Sequence, residues 1–161
     1  MIRKALVLAA PLFAIHTAAL ADEIPARKPG LWEITTSGDG SAPDVSRLCL
    51  DAATESALMA MGKATISGIC SRREIHRDGD VITEDSVCRP IKSETTSHTV
   101  TTLNGDAAYT TVITAHYNPP FMGHADSTTK QDAKWLGPCG ADMRPGDILT
   151  HGQKLHLPAT P

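Results

Sequence analysis

Four cysteines constrain the fold of this chain more than any other feature of its sequence. They are Cys49, Cys70, Cys88 and Cys139. No two of them form a C-x-x-C pair, so the spacing indicates neither a thioredoxin-type redox pair nor a zinc cluster. Four widely spaced cysteines favour two structural disulfides, which form in oxidising compartments.

Residues 1–21 have the three parts of a secretory signal peptide. Arg3 and Lys4 precede an apolar run over residues 5–15, and Ala19 and Ala21 form a small-x-small cleavage site. The apolar run is shorter than the roughly 20 residues that span a membrane. We therefore expect cleavage after Ala21 and export to the bacterial periplasm, with no integral membrane segment afterwards.

The segment that remains after cleavage, residues 22–161, contains few large apolar side chains. Leu, Ile, Val and Phe make up 24 of its 140 residues, below the roughly 20% that accompanies a well-filled core. Disulfides are the expected compensation, at about 2–4 kcal/mol each. The net charge of −3 becomes −5 once Arg3 and Lys4 are removed. An acidic surface argues against nucleic acid and against anionic lipid as partners.

Alternating polar and apolar residues predict about seven β-strands. We expect them over residues 31–36, 45–50, 70–77, 81–89, 93–103, 107–117 and 125–136. The predicted fold class is mainly β: an antiparallel meander, either a curled sheet or a small barrel, with one helix between strands 2 and 3. We expect a single disulfide-linked domain over residues 22–150 and a flexible C-terminal tail over residues 151–161.

The predicted helix begins after Asp51, a residue type that caps helix N-termini. It is expected to run to Met61, because Gly62 is typical of a helix C-terminus. Thr54, Ala57, Leu58 and Met61 would then form its apolar stripe.

Two loops are indicated by their turn residues. Asn104-Gly105 favours a two-residue turn, which would place Leu103 opposite Asp106 and Val100 opposite Tyr109. Pro119, Pro120 and Gly123 predict a loop before the last strand.

The predicted strands favour one disulfide pairing among the three that four cysteines allow. A three-residue loop at residues 78–80 would place Cys70 opposite Cys88, whereas a two-residue loop would place Cys70 opposite Val87. By elimination Cys49 would pair with Cys139. The alternative pairs Cys49 with Cys70 across the helix and Cys88 with Cys139.

Several sequence segments carry a resemblance to a known family. These are residues 27–36, 49–54 and 59–62, then Cys70 and Cys88, and finally residues 134–139 and 144–147. In this order they resemble the bacterial secreted proteins grouped as domain of unknown function 3617. The resemblance implies an envelope or periplasmic location, and it implies no activity and no catalytic or ligand residue.

Trp32 and Trp135 are the candidate ligand-binding residues. They fall in the first and last predicted strands, so they would lie close together if those strands pair. One reading is an apolar pocket roofed by the helix, as in small ligand-binding barrels. The other is core packing, which the scarcity of large side chains favours.

The remaining polar residues predict no metal site, no cofactor and no catalytic centre. His116, Met122 and His124 lie close in sequence and suit copper, but their spacing matches no metal motif. Glu84, Asp85 and Glu94 are expected on solvated strand faces. No Gly-x-Ser-x-Gly or phosphate-binding loop occurs.

Three functions stay open from the sequence. The first is a noncatalytic periplasmic binding or envelope-associated domain, with a small apolar ligand or an envelope component as partner. The second is a protein–protein interaction or assembly module that uses exposed strand edges. The third, an enzyme or a His/Met metal-binding protein, has the least support.

Overall fold

The structure is a computed structural model that describes residues 24–38, 40, 42–90 and 92–157. Within these ranges it contains nine strands and one helix. In chain order they are β1 (Gly30–Gly38), β2 (Asp44–Leu50), α1 (Ala52–Ile69), β3 (Cys70–Asp78), β4 (Val81–Cys88), β5 (Glu94–Asn104), β6 (Ala108–Phe121), β7 (His124–Gly137), β8 (Asp147–Thr150) and β9 (Gln153–His156). The predicted signal peptide and the last four residues of the predicted tail lie outside the described residues.

All nine strands belong to one antiparallel sheet, in the order β3-β4-β5-β6-β7-β1-β2-β8-β9. The pairing of β1 with β7 joins the meander β3–β7 to a second group formed by β1, β2, β8 and β9. β3 and β9 are its two edges, so the sheet is open. The mainly β antiparallel prediction is confirmed, and the small-barrel alternative is wrong.

Two short strands follow Cys139, in addition to the seven that the sequence predicts. β8 pairs with β2, and β9 pairs with β8. The N–H of Gly146 donates to the carbonyl of Cys49, and the N–H of Leu157 donates to the carbonyl of Gly146, each at 2.9 Å. Four-residue strands carry too little alternation to be recognised in a sequence. The strand count is therefore nine rather than about seven, and residues 153–156 belong to the sheet rather than to a flexible tail.

Helix α1 lies between β2 and β3, as predicted, but it is longer than expected. The Asp51 side chain accepts a hydrogen bond from the N–H of Thr54 at 2.7 Å, which caps the N-terminus. The helix continues past Gly62 to Ile69. A glycine inside a helix costs only about 1 kcal/mol relative to alanine, and helix-forming residues such as Lys63 and Ala64 follow it. The predicted end at Met61 is therefore wrong.

The core lies on the face of the sheet that carries Trp32, called the inner face from here on. Trp32, Leu48, Leu50 and Ala133 form a buried cluster there, and Leu58 of α1 packs against it. Successive side chains of a strand alternate between faces. The opposite face, called the outer face, therefore carries Glu33 and Thr35 of β1 and is polar.

Helix α1 crosses the inner face from one end of the strands to the other. The helix follows the end of β2, which lies beside the start of β1, and it precedes the start of β3, which lies beside the end of β4. Because β1 and β4 run in the same direction, these two points lie at opposite ends of the sheet. Its 18 residues give a length of about 27 Å. Thr54, Ala57 and Leu58 of the predicted stripe are half-buried, whereas Met61 is 56% exposed.

The β5–β6 hairpin has a different register from the one its sequence predicts. Asn104 faces Ala108 and Leu103 faces Tyr109, so the loop contains three residues. The N–H of Trp135 donates to the carbonyl of Ala107 at 2.7 Å, which fixes this loop from β7. A shift by an odd number of residues moves side chains to the opposite face. The predicted pair of Val100 with Tyr109 is therefore wrong, because these residues lie on opposite faces.

All four cysteines are in disulfides, Cys49 with Cys139 and Cys70 with Cys88. These are the pairs that the sequence favours, although the second one forms by a different route. The β3–β4 turn contains two residues, because Asp78 faces Val81. An irregularity of the register next to Cys70 then brings it opposite Cys88.

The two disulfides close loops of very different length, which gives a testable difference in stability. Cys49 and Cys139 are 90 positions apart, and Cys70 and Cys88 are 18 positions apart. The loop-entropy relation gives about 4–5 kcal/mol for the long loop and about 3 kcal/mol for the short one. We expect Cys49→Ala/Cys139→Ala to lower the free energy of unfolding more than Cys70→Ala/Cys88→Ala does, as measured by urea titration. Equal losses would contradict this ranking.

Candidate functional site

The two candidate tryptophans are brought together by the pairing of β1 with β7, where Trp32 faces Trp135. Trp32 is 2% exposed, and its ring centroid lies 5.9 Å from that of Tyr109. Its indole N–H donates to the carbonyl of Lys28 at 2.7 Å. The indole N–H of Trp135 donates to the carbonyl of Pro29 at 3.0 Å. Both indole N–H groups therefore bind the short segment that precedes β1.

That segment, residues 27–30, is called the N-terminal clamp from here on. The Arg27 guanidinium forms hydrogen bonds of 2.7–3.1 Å with both carboxylate oxygens of Glu55 in α1, and the Arg27 backbone N–H donates to the same carboxylate at 2.9 Å. Lys28 Nζ lies 4.3 Å from the centroid of the Trp135 ring and 3.3 Å from an Asp106 carboxylate oxygen. The clamp thus connects the helix, the last long strand of the meander and the β5–β6 loop.

The hydrogen bonds and charges around Arg27 explain why its guanidinium stays charged despite its burial. Burial lowers the pKa of Arg27. The hydrogen bonds to Glu55 and the proximity of Tyr109 raise this pKa by more than burial lowers it, so the pKa lies above its ordinary value. The guanidinium therefore remains charged beside the buried Glu55 carboxylate. A bidentate pair of this kind fixes orientation as well as distance.

Gly30 is required where the clamp enters β1. A Cβ atom at this position would lie 2.3 Å from Trp135 Nε1 and 2.4 Å from the carbonyl oxygen of Gly137. Its φ of +134° is also a conformation that side-chain-bearing residues rarely adopt. The Pro-Gly-Leu-Trp sequence therefore serves the close packing of β1 against Trp135.

The geometry around the tryptophans is that of packing. Helix residue Leu58 packs against the cluster that contains Trp32, as do Tyr109 and Trp135. A shallow depression of about 510 Å³ lies nearby, and neither tryptophan belongs to its lining. Its polar lining residues include Thr35, Thr102, Thr110, Asp132 and Lys134.

A surface that the sequence did not reveal lies at the tip of the β6–β7 hairpin, residues 117–124, called the hairpin tip from here on. The predicted loop at Pro119, Pro120 and Gly123 is mostly strand, because β6 runs to Phe121 and β7 starts at His124. Met122 and Gly123 form the turn, with φ of 49° and 86°. Met122 is 83% exposed and Phe121 is 40% exposed.

The hairpin tip extends beyond the neighbouring strand. β5 begins at Glu94, which faces Asn118, so residues 119–123 have no partner in β5. The tip is anchored from below by a hydrogen bond of the Ser93 hydroxyl to the Pro119 carbonyl. The Tyr117 hydroxyl lies 2.9 Å from the Ser127 hydroxyl. The sequence signal for this surface was Met122 next to Gly123, at a turn position that usually holds Gly or Asn.

The titratable residues singled out in the sequence form pairs on the sheet surface. Glu84 pairs with Arg73 and Glu94 with Arg89. Asp85 and Asp126 each lie 2.8 Å from a histidine Nδ1, those of His98 and His116 respectively. In the described part of the chain, no group of three or more His, Cys, Asp or Glu residues is arranged to hold a metal ion.

The fold and these contacts define a class: an antiparallel sheet domain linked by two disulfides and crossed by one helix. A family model described as protein of unknown function (DUF3617) matches residues 27–139. The chain therefore belongs to the DUF3617 family, as its resemblance indicates. The match begins at the clamp residue Arg27 and ends at the disulfide residue Cys139. No curated protein and no solved structure matches the chain.

Gly30 provides a test of the close packing at the clamp. We expect Gly30→Ala to lower the free energy of unfolding by about 2–4 kcal/mol, because overpacking and an unfavourable φ act together. Gly62→Ala is the matched control, since a Cβ there has no atom within 4 Å and helix propensity favours alanine by about 1 kcal/mol. Chemical denaturation measures both. A neutral Gly30→Ala would contradict the packing described.

The Arg27–Glu55 pair provides a second test. We expect Arg27→Ala to destabilise the domain by about 3 kcal/mol, because it leaves a buried carboxylate without its partner. Arg72→Ala is the control: Arg72 pairs with Glu74 on the surface, where such pairs contribute about 0–1 kcal/mol. Thermal unfolding followed by circular dichroism should separate the two variants. Similar melting temperatures would show that the clamp does not fix the helix.

Proposed function

We propose that this protein is a noncatalytic, envelope-associated binding domain of the bacterial periplasm that docks on a protein partner through its hairpin tip. The observation that carries the proposal is the exposure of Met122 and Phe121 on a turn that projects beyond the sheet. The Phe121 ring packs against Tyr117, with centroids 5.9 Å apart, whereas the Met122 side chain lies mostly in solvent, and its position favours an intermolecular role.

The backbone of Met122 supports a role other than turn formation. A left-handed conformation costs a residue with a Cβ roughly 1–2 kcal/mol, and Asn and Gly tolerate it best. The chain places a Met there, with most of its side chain in solvent. A residue that is unfavourable for the turn and unused by the core suggests selection for a contact.

A protein groove suits this tip better than a lipid surface. The full chain has a net charge of −3, and removal of the leader with Arg3 and Lys4 is expected to change it to −5. This negative charge disfavours approach to anionic lipid. Met side chains are flexible and polarisable, and they are common at adaptable protein-binding surfaces. The small apolar area of the tip fits a weak, transient complex.

The other surfaces are less suited to docking. Edge strand β3 carries Arg72, Arg73 and Arg77, and charged edges hinder the addition of a further strand. Edge strand β9 has only four residues. The packed surroundings of Trp32 and Trp135 give little support to an apolar pocket between them.

The compartment rests on the leader and the disulfides together. Two disulfides suggest an oxidising, extracytoplasmic environment. None of the described helices is long and apolar enough to cross a membrane. With the signal sequence that is expected to end at Ala21, the disulfides support release into the periplasm.

Met122→Asn tests the proposal because it should separate stability from association. We expect the free energy of unfolding to rise by about 0.5–1 kcal/mol, since Asn tolerates the left-handed turn, while association with the envelope fraction is lost. Met61→Asn is the matched control: Met61 is also exposed, on helix α1. The Met61→Asn variant should lose about 0.5 kcal/mol of unfolding free energy and should still associate with the envelope fraction.

Site-specific photo-crosslinking in living cells distinguishes the kinds of partner. A photoreactive residue at position 122 should give a discrete protein adduct that is lost when Phe121→Ala is added, and one at position 61 should give none. Binding of the purified protein to neutral lipid vesicles without a protein adduct would contradict a protein partner. Unchanged association of Met122→Asn would contradict a role for the tip.

A further inference from the structure

Two histidine–aspartate pairs lie side by side on the outer face of the sheet. Asp85 of β4 faces His98 of β5, and His116 of β6 faces Asp126 of β7. In each pair the histidine Nδ1 and an aspartate oxygen are 2.8 Å apart. Both histidines are at least half exposed.

The register makes the two histidines diagonal neighbours. His98 faces Thr114, and His116 faces Thr96, on the adjacent strands β5 and β6. Diagonal neighbours on one face of an antiparallel pair have Cα atoms about 7–8 Å apart, within reach of long side chains. His98 and His116 therefore share one patch of surface.

The aspartates orient the two rings toward each other. The two nitrogens of an imidazole point away from each other. His98 bonds Asp85 on the β4 side, so its Nε2 points toward β6. His116 bonds Asp126 on the β7 side, so its Nε2 points toward β5. Each Nε2 therefore points away from the sheet and tilts toward the strand that carries the other histidine.

The same contacts leave both Nε2 atoms free to bind a metal. An ionised carboxylate only accepts hydrogen bonds, so each Nδ1 carries the proton it donates. In the neutral ring Nε2 then has an available lone pair. A carboxylate on the distal nitrogen fixes the tautomer and raises the basicity of a metal-binding histidine.

The charge around the patch favours a cation. Glu74 faces Asp85 across β3 and β4, so three carboxylates, those of Glu74, Asp85 and Asp126, lie on the same face of the sheet as the two rings. Arg72 pairs with Glu74 and offsets one of these three negative charges. The net charge of these groups is negative.

We propose that His98 and His116 form a surface site for one divalent transition-metal ion of the Zn²⁺ or Cu²⁺ type. Their Nε2 atoms are the two protein ligands, and Asp85 and Asp126 are positioning residues that fix the rings. Water or a group from another molecule completes the coordination. Imidazole nitrogen is a preferred ligand for both ions.

Zn²⁺ titration of the untagged, oxidised protein, in competition with a chromogenic chelator, tests the site. We expect one Zn²⁺ per chain, and an affinity at least about 10-fold weaker in His98→Ala and in His116→Ala. His76→Ala is the matched control, because His76 lies on the same face and faces Thr83; it should bind as the wild type does. Asp85→Asn and Asp126→Asn should each weaken binding about 10-fold.

Histidine side-chain NMR provides a readout that is independent of stability. Zn²⁺ should shift the Nε2 resonances of His98 and His116 together and leave that of His76 unchanged. Failure of the wild type to bind Zn²⁺, or binding by His98→Ala or His116→Ala as tight as that of the wild type, would overturn the site. A shift at only one of the two histidines would overturn the shared coordination.

Discussion

The antiparallel pairing of β1 with β7 is the interaction on which the rest of the structure depends. It joins two groups of strands into one sheet and places Trp32 opposite Trp135. The N-terminal clamp reinforces the pairing, because carbonyl groups of Lys28 and Pro29 accept the two indole N–H bonds. Arg27 then fixes helix α1 through Glu55. One short segment therefore sets the positions of the helix and of the central strands.

Hydroxyl pairs on the inner face, beside the apolar cluster, explain how a chain with few large apolar residues fills its interior. The hydroxyls of Ser86 and Ser97 lie 2.8 Å apart, and those of Thr101 and Thr111 lie 2.9 Å apart. In the described residues, every buried side-chain nitrogen or oxygen has a hydrogen-bond partner. Cross-strand hydroxyl pairs stabilise a sheet by roughly 0.2–1 kcal/mol each. The two disulfides add a larger contribution by restricting the unfolded chain.

The hairpin tip and the His98–His116 patch both depend on the long β5–β6–β7 hairpins. β6 and β7 extend past β5 at one end, which exposes Met122, and the three strands align histidines that are distant in sequence on one face. The tip had a local signal, since a Met at a turn is unusual. The histidine patch had none, because residues 98 and 116 become neighbours only through the strand register.

The sequence by itself determined the features that arise from local chemistry. Alternation gave seven of the nine strands, Asp51 gave the start of the helix, and the spacing of the cysteines excluded a redox pair. Tertiary structure decided the rest. Trp135 fixed the three-residue β5–β6 loop from a strand far along the chain. An irregular register beside Cys70, rather than a longer turn, aligned it with Cys88. Strand periodicity is set by neighbouring residues, whereas register is set by contacts between distant ones, and a shift of one residue reverses the faces.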